Sequence, residues 1–216
     1  MLEGSRRYRT IDLLRDILSF DSNVFEHCIR VKNYALLVAR ELELTETELT
    51  DLQQAAVLHD YGKIYIPKPV LYKTAPLTDE ERQIMRLHVT LGCDALNGIK
   101  EVPDNVLAYV REHHERLDGS GYPDSVKSVS TFGQLIAMSD IYDAVTHKRC
   151  YKSAYSKEYA LSLIGENKNA FEKELINCFQ AVLSQANDDD VISCCDDLLC
   201  NEFRNNLCRC DEWCGK

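Results

Sequence analysis

Apolar residues recur at spacings of three and four along most of the chain, which is the pattern of amphipathic helices. The clearest stripe consists of Val24, Cys28, Val31, Ala35, Val38 and Leu42. Thr45 with Glu48 forms a capping-box pair that predicts the start of a second helix. Thr78 with Glu81 predicts the start of a third in the same way. No stretch alternates apolar and polar residues as a half-buried strand does, so the pattern predicts an all-α bundle.

Proline and glycine mark the breaks between the predicted helices. Pro103 suits the first turn of a fourth helix, and Pro123 closes a glycine-rich loop that follows it. Residues 61–77 and 116–131 lack helical periodicity and are predicted to be irregular connectors. The expected fold is therefore a mostly helical bundle with irregular connecting loops.

The composition is that of one globular domain. The chain has 216 residues, of which 45% are apolar and 28% charged, and this length supports one well-packed core. No apolar run reaches the length of a membrane span, and no apolar segment follows the charged start as in a secretory signal. These features predict a cytoplasmic protein with no membrane partner. The net charge of −10 argues against a polymeric nucleic acid as a partner, because such binding needs a basic surface.

The cysteines are unevenly distributed along the chain. The ten cysteines, without a secretory signal, favour a reducing compartment over a disulfide framework. Seven of them lie in the last 39 residues, where acidic residues also accumulate. We therefore expect an N-terminal helical extension (1–20), a central domain (21–186) and an acidic, cysteine-rich C-terminal tail (187–216).

The tail has two interpretations. Its cysteines, of which Cys208, Cys210 and Cys214 lie closest together, could supply thiolates for zinc or an iron–sulfur cluster, although no paired Cys-x-x-Cys spacing occurs. An apolar stripe from Val191 to Phe203 instead favours one more amphipathic helix packed on the bundle, with cysteine as a small apolar residue. We prefer the second interpretation.

Histidines and aspartates stand at inward-facing positions of the predicted helices. The set includes five of the six histidines and comprises His27, His59, Asp60, His88, His113, His114 and Asp140. A single buried histidine is usually a hydrogen-bonded core residue. Several together are harder to explain in that way, because burying a polar group without a partner costs about 2–7 kcal/mol. A metal ion removes this cost, and mixed imidazole and carboxylate ligands suit iron, manganese or zinc.

Three motifs in this set resemble those of the HD-GYP family, the HD-domain phosphohydrolases associated with bacterial cyclic di-GMP turnover. They are residues 59–67 (HDYGKIYIP), 113–123 (HHERLDGSGYP) and 140–144 (DIYDA). With His27 and His88 at similar separations, the resemblance covers roughly the central domain. It implies an HD-domain helical bundle and a metal-dependent phosphodiesterase.

The resemblance implies two overlapping sets of metal ligands. The first set consists of His27, His59, Asp60 and Asp140. The second consists of Asp60, His88, His113 and His114. Asp60 would bridge two divalent ions, for which iron or manganese is expected. Such a pair would lower the pKa of a water molecule and polarise a phosphoryl oxygen, as in other two-metal hydrolases. Asp118 and Asp143 are expected to orient the loop or a ligand histidine.

The resemblance also assigns residues to the substrate. Lys63 would stabilise charge on the phosphate and act in catalysis beside Asp60. Tyr122 would approach the bound phosphate through its hydroxyl. Arg149 and Lys152 match positions at which the family places cations on the phosphates. Basic residues after a helix also favour the helix dipole, so these two have a second explanation.

The sequence departs from the family pattern at two positions. Many members carry a carboxylate four residues before the first histidine, where a glutamate supports a third metal ion, but this chain has Asn23 there. An amide oxygen is a weaker ligand for a divalent cation, so we expect two ions. Cys150 replaces a common proline, which would loosen the segment that carries Arg149 and Lys152.

The leading functional hypothesis is hydrolysis of cyclic di-GMP to linear pGpG, with further cleavage to GMP left open. One alternative is a catalytically weak receptor or scaffold that binds the dinucleotide, or a signalling protein partner, through the Tyr122 loop. Another is an HD phosphohydrolase for a different cyclic dinucleotide. The complete ligand set favours an enzyme, since a scaffold gains nothing from seven such residues.

Overall fold

The structure, a computed structural model, describes residues 10–147 and 155–187. Within these ranges the chain forms α-helices and one short 3₁₀ helix (Tyr61–Tyr65), and no strand. The α-helices are α1 (Thr10–Phe20), α2 (Ser22–Ala39), α3 (Glu46–Leu58), α4 (Lys68–Leu71), α5 (Asp79–Leu96), α6 (Asp104–Glu112), α7 (Thr131–Thr146), α8 (Lys157–Glu166) and α9 (Lys173–Gln185). The prediction of an all-α bundle is confirmed.

Side-chain caps fix where several helices begin. Both predicted capping boxes are present, with Thr45 at the start of α3 and Thr78 at the start of α5. Each threonine accepts a hydrogen bond from the backbone N–H of the glutamate three residues later. Pro103 lies one position earlier than the sequence predicts. It is the N-cap residue of α6, because its ψ of 155° is extended rather than helical.

Helix α2 lies at the centre of the bundle and packs against α1, α3, α7 and α9. Four residues of the predicted stripe are fully buried on α2, namely Cys28, Val31, Ala35 and Val38. Val24 is partly buried, and Leu42 lies beyond the end of the helix. Helix α7 is buried on most of its surface because α2, α6 and α8 all contact it. Its sequence is accordingly apolar on most sides. Two of the buried polar residues of these helices, His27 on α2 and Asp143 on α7, meet inside the core.

The connector 61–77 contains more regular structure than the sequence predicts, namely the 3₁₀ helix and the single turn α4. The 3₁₀ helix crosses α5 at very close range. A Cβ atom on Gly62 would lie 1.8 Å from the carbonyl oxygen of His88 and 2.5 Å from the backbone nitrogen of Gly92. Only glycine permits this approach, which places the end of α3 beside His88.

Several predicted features fall outside the described residues. They are the first nine residues of the N-terminal extension, Arg149, Cys150, Lys152 and the tail from residue 188 onwards. The rest of the predicted extension forms α1, whose Ile11, Leu14 and Ile17 are buried. The division into extension, central domain and tail remains a prediction. Among the described helices, none has the length and apolar character that would let it cross a membrane.

Candidate metal centre

The seven predicted ligands lie close together at the ends and inner faces of five helices. Helix α2 carries His27, the end of α3 His59 and Asp60, α5 His88, the end of α6 His113 and His114, and α7 Asp140. His59 and His113 are the C-cap residues of α3 and α6. Each helix ends at its cap residue, so the side chain of the cap and that of the next residue can both face the site.

His27, His59 and Asp60 form one cluster, in which the potential ligand atoms lie within 4.8 Å of one another. The Nε2 atom of His27 lies 3.1 Å from Oδ1 of Asp140 and 3.3 Å from Oδ2 of Asp60. The Nε2 atom of His59 lies 3.4 Å from the same Oδ2 atom. Asp140 thus adjoins this cluster through its contact with His27.

His88, His113 and His114 form a second cluster of the same extent. The Nε2 atom of His88 lies 3.4 Å from Nε2 of His113 and 3.4 Å from Oδ1 of Asp60. The two carboxylate oxygens of Asp60 therefore face different clusters. This is the geometry in which one carboxylate can bridge two metal ions.

Backbone carbonyls three residues earlier in the chain orient three of the histidine rings. The distances from Nδ1 to the carbonyl oxygen are 2.8 Å for His59, 2.7 Å for His88 and 2.6 Å for His113. A carbonyl only accepts, so each Nδ1 carries the hydrogen and, in the neutral ring, Nε2 keeps its lone pair. The Nε2 atoms of His27 and His59 are buried without a hydrogen-bond partner among the described residues. Electron-rich atoms buried so close together require a positive charge between them, so the donor set fits divalent cations.

The ionisable side chains of the two clusters differ in how their pKa values are shifted. Burial disfavours the charged ring of His27, but the surrounding carboxylates, that of Asp140 first, raise its pKa to about 10, so a metal ion bound here would displace a proton from this ring. The same carboxylates favour a divalent cation at that position. Burial lowers the pKa of His113, which keeps this ring neutral. Burial opposes ionisation of Asp60, yet Lys63 and nearby imidazoles hold its pKa well below the usual range.

Asp143 holds the ring of His27 from the side opposite Asp60. Its Oδ2 atom lies 2.6 Å from Nδ1 of His27, and its Oδ1 atom accepts from Nε of Arg30 at 2.6 Å and lies 3.0 Å from Nδ1 of His147. This agrees with the orienting role expected for Asp143. Arg30 was not among the residues predicted from the sequence. The signal was its position three residues after His27, on the same face of α2.

Lys63 projects from the 3₁₀ helix towards the first cluster, where its Nζ atom contacts Oδ2 of Asp60. Its side chain is partly buried. A positive charge thus lies at the edge of the cluster, three residues from the carboxylate that faces both halves of the site.

Tyr122 lies against the second cluster. Its ring stacks on His114, with centroids 4.6 Å apart and an interplanar angle of 25°, and lies 6.4 Å from the ring of His88. The adjacent Gly121 permits this placement, since a Cβ atom there would lie 2.4 Å from Cα of Glu115. The predicted substrate-contacting tyrosine is therefore next to the predicted metal ligands.

Glu115, which sequence analysis did not single out, fixes the loop that follows Tyr122. Its side chain is 1% exposed. One carboxylate oxygen accepts from the backbone N–H groups of Asp124 at 2.6 Å and Ser125 at 3.1 Å, and the other from that of Val126 at 3.1 Å. Three such hydrogen bonds to one carboxylate hold the loop firmly. The available signal was an acidic residue placed directly between two ligand histidines and a glycine-rich loop.

Four further residues discussed from the sequence lie apart from the clusters or outside the described ranges. Asn23 is exposed in the first turn of α2, and its Nδ2 atom lies 3.1 Å from Oδ1 of Asp21. It belongs to neither cluster. Asp118 accepts a hydrogen bond from the backbone N–H of Ser120 at 2.9 Å, within the loop. Arg149 and Lys152, the remaining predicted substrate contacts, are not among the described residues.

The sequence is similar to a family model and to several known proteins. A sequence model of a family described as HD domain matches residues 12–175. The chain is 38% identical over 166 residues to the cyclic di-GMP phosphodiesterase response regulator RpfG of Xanthomonas campestris pv. campestris, covering 76% of this chain and 44% of that protein. It is 34% identical over 154 residues to 3'3'-cGAMP-specific phosphodiesterase 2 of Vibrio cholerae, covering 69% of this chain and 30% of that protein. The chain thus spans less than half the length of these relatives.

Solved structures give the same fold. A cyclic GMP-AMP-specific phosphodiesterase of Vibrio cholerae matches with a TM-score of 0.62 at 18% identity, over 87% of this chain and 52% of that chain. At this identity the likeness concerns the fold alone. It agrees with the helical bundle expected from the sequence.

Proposed function

The chain belongs to the HD-domain family, as its HD-GYP motifs indicated, and we propose that it is a metal-dependent phosphodiesterase that hydrolyses cyclic di-GMP. The observation that carries the proposal is the position of Asp60, whose two carboxylate oxygens face separate clusters of histidines. A site of this form suits cleavage of a phosphodiester. The relative RpfG, which is named a cyclic di-GMP phosphodiesterase, supports this choice of substrate.

We assign two divalent ions to the site, with Asp60 shared between them. The first ion would be held by His27, His59, Asp60 and Asp140. The second would be held by Asp60, His88, His113 and His114. Ligands of imidazole and carboxylate without thiolate suit iron or manganese. When bound, the ions would supply positive charge to the phosphoryl oxygens and lower the pKa of a water molecule.

The surrounding side chains would position the substrate and stabilise developing charge. The ammonium group of Lys63, at the edge of the first cluster, would stabilise negative charge on the phosphate as water attacks phosphorus and the ribose 3′ oxygen leaves. Burial raises the pKa of Tyr122, so its hydroxyl keeps its proton at neutral pH and can donate a hydrogen bond to the phosphate. Arg149 and Lys152 are proposed as further phosphate contacts.

Two alternatives remain testable. Another cyclic dinucleotide could be the substrate, since one relative is named a 3'3'-cGAMP-specific phosphodiesterase. A receptor or scaffold that binds a nucleotide or a signalling protein through the Tyr122 loop would keep the fold without fast hydrolysis. A cytoplasmic location fits a nucleotide second messenger and is part of the proposal.

The deciding experiment is an anaerobic assay of iron- or manganese-loaded protein with cyclic di-GMP and 3'3'-cGAMP, in which products are separated by chromatography. We expect cyclic di-GMP to be converted to pGpG faster than 3'3'-cGAMP is cleaved. Faster cleavage of 3'3'-cGAMP would move the assignment to that substrate. Binding of cyclic di-GMP without any product would favour the receptor.

A further inference from the structure

Arg86 lies at the rim of the candidate site, beside Tyr122. It is an exposed residue of α5, two positions before His88. Its guanidinium carbon lies 4.9 Å from the centroid of the Tyr122 ring, a cation–π contact. No hydrogen bond or ion pair joins Arg86 to any other residue in 10–147 or 155–187. A guanidinium held on an aromatic ring keeps its N–H groups at its perimeter, where they can bind a planar or forked acceptor.

Two neighbouring arginines are held by hydrogen bonds within the protein. Arg82, one turn earlier on α5, is bonded to Asp79 and to the carbonyl oxygen of Leu77. Arg116, on the loop after α6, donates to the carbonyl oxygen of Glu115 at 2.7 Å and packs over the ring of Phe171. These two guanidinium groups have structural partners. Within the described part of the chain, the contact given for the Arg86 guanidinium is with the ring of Tyr122, which itself stacks on His114.

The chemistry of the substrate class gives a cation at this position a role. A cyclic dinucleotide carries two phosphodiester groups with one negative charge each, and only one of them can react at the metal centre at a time. The other phosphate must lie beside a chain whose net charge is −10, so it needs a local positive group. Arginine suits this task because its fork matches two phosphate oxygens.

On the basis of the function proposed above, we propose that Arg86 binds the second, non-reacting phosphate of the cyclic dinucleotide. Arg86 contacts substrate in this role but takes no part in bond breaking. Its loss therefore weakens binding and leaves the chemical step intact. Its effect is also the same for every cyclic dinucleotide, because all of them carry the second phosphate.

The test compares Arg86→Ala and Arg86→Lys with the control Arg82→Ala on the same helix. Substrates are cyclic di-GMP, cyclic di-AMP and bis(p-nitrophenyl) phosphate, which has one phosphodiester and no second phosphate. Arg86→Ala should raise KM for both dinucleotides about tenfold, the loss of roughly one charge-assisted hydrogen-bonded contact. It should leave kcat, and all activity on bis(p-nitrophenyl) phosphate, within about twofold. Arg86→Lys should recover part of the loss, and Arg82→Ala should behave as wild type.

Three results would overturn the proposal. The first is an unchanged KM of Arg86→Ala for the dinucleotides. The second is an equal loss of activity on bis(p-nitrophenyl) phosphate, which would place the effect in the metal centre. The third is a loss of activity confined to cyclic di-GMP, which would assign Arg86 to the guanine edge. Dissociation constants of cyclic di-GMP from calorimetry separate this proposal from the proposed function. A wild type that binds without hydrolysis contradicts the proposed function, while the Kd of Arg86→Ala still decides the role of Arg86. A wild type that does not bind contradicts both.

Discussion

Asp143 and His27 are joined by a 2.6 Å contact between Oδ2 and Nδ1, which links α7 to α2 inside the bundle. The contact places the hydrogen of the neutral ring on Nδ1 and directs Nε2 towards Asp60 and Asp140. A buried carboxylate thus orients a proposed metal ligand that stands 116 residues earlier in the chain. Metal binding and packing of α2 on α7 are therefore coupled through one pair of side chains.

Replacement of Asp143 by asparagine should weaken metal binding about 10- to 100-fold. The amide presents an NH₂ group to either His27 or Arg30, so one of the two contacts becomes donor against donor. Manganese affinity measured by calorimetry checks this. The matched control is Asp94→Asn, an exposed aspartate of α5, for which no change is expected. Equal affinities for Asp143→Asn and wild type would contradict the orienting role.

Replacement of Glu115 by glutamine should destabilise the protein by about 1–3 kcal/mol. Three backbone N–H groups now bond to its two carboxylate oxygens, and an amide would present donors to at least one of them. Urea unfolding measures the loss, and dinucleotide hydrolysis should fall as the Tyr122 loop loosens. Glu166→Gln, an exposed change with one hydrogen bond to Ser162, should alter neither. A midpoint for Glu115→Gln equal to wild type would rule out this role.

Replacement of Gly62 by alanine should cost at least about 3 kcal/mol or prevent folding. The new Cβ atom would overlap the backbone of His88, and neither element can move without separating Asp60 from that histidine. Gly98→Ala provides the comparison. That site has open space but a φ of +81°, so alanine there should cost only about 1–2 kcal/mol. Thermal unfolding of both variants should give this order, and the reverse order would contradict the crossing.

Elemental analysis of the fully loaded protein should give two metal ions per chain. Asn23 belongs to neither cluster and its amide is bonded to Asp21, so Asn23→Ala should also bind two. A count of three in wild type, or a lower count in Asn23→Ala, would show that the amide is a ligand.

The sequence predicted what depends on local pattern. Helix periodicity and the pairs Thr45–Glu48 and Thr78–Glu81 predicted helices and their starts, because caps act within one turn. The proposed ligand histidines and aspartates were predicted from their inward-facing positions, and the resemblance to a known family then divided them into two sets. The structure places them close together.

Other features depend on contacts between distant segments. The 3₁₀ helix at 61–65 is too short to show a period, and its position is set by the crossing of Gly62 over α5. The roles of three residues depend on such contacts. Arg30 bonds to Asp143, 113 positions later. Glu115 accepts from the backbone of Asp124, 9 positions later, and Arg86 packs on Tyr122, 36 positions later. Arg30 and Glu115 stand beside predicted ligands in the sequence, but the sequence does not show which groups they contact.

The most direct test of the central claim compares wild type with Asp60→Ala, each loaded with manganese or iron under anaerobic conditions and assayed for both metal content and cyclic di-GMP hydrolysis. Because the two oxygens of Asp60 face separate clusters, its loss should lower the metal content and reduce kcat/KM at least about 10³-fold, equivalent to roughly 4 kcal/mol. Far-ultraviolet circular dichroism should show that the helices remain. Hydrolysis by Asp60→Ala at a rate close to that of wild type, or no hydrolysis by fully loaded wild type, would contradict the account.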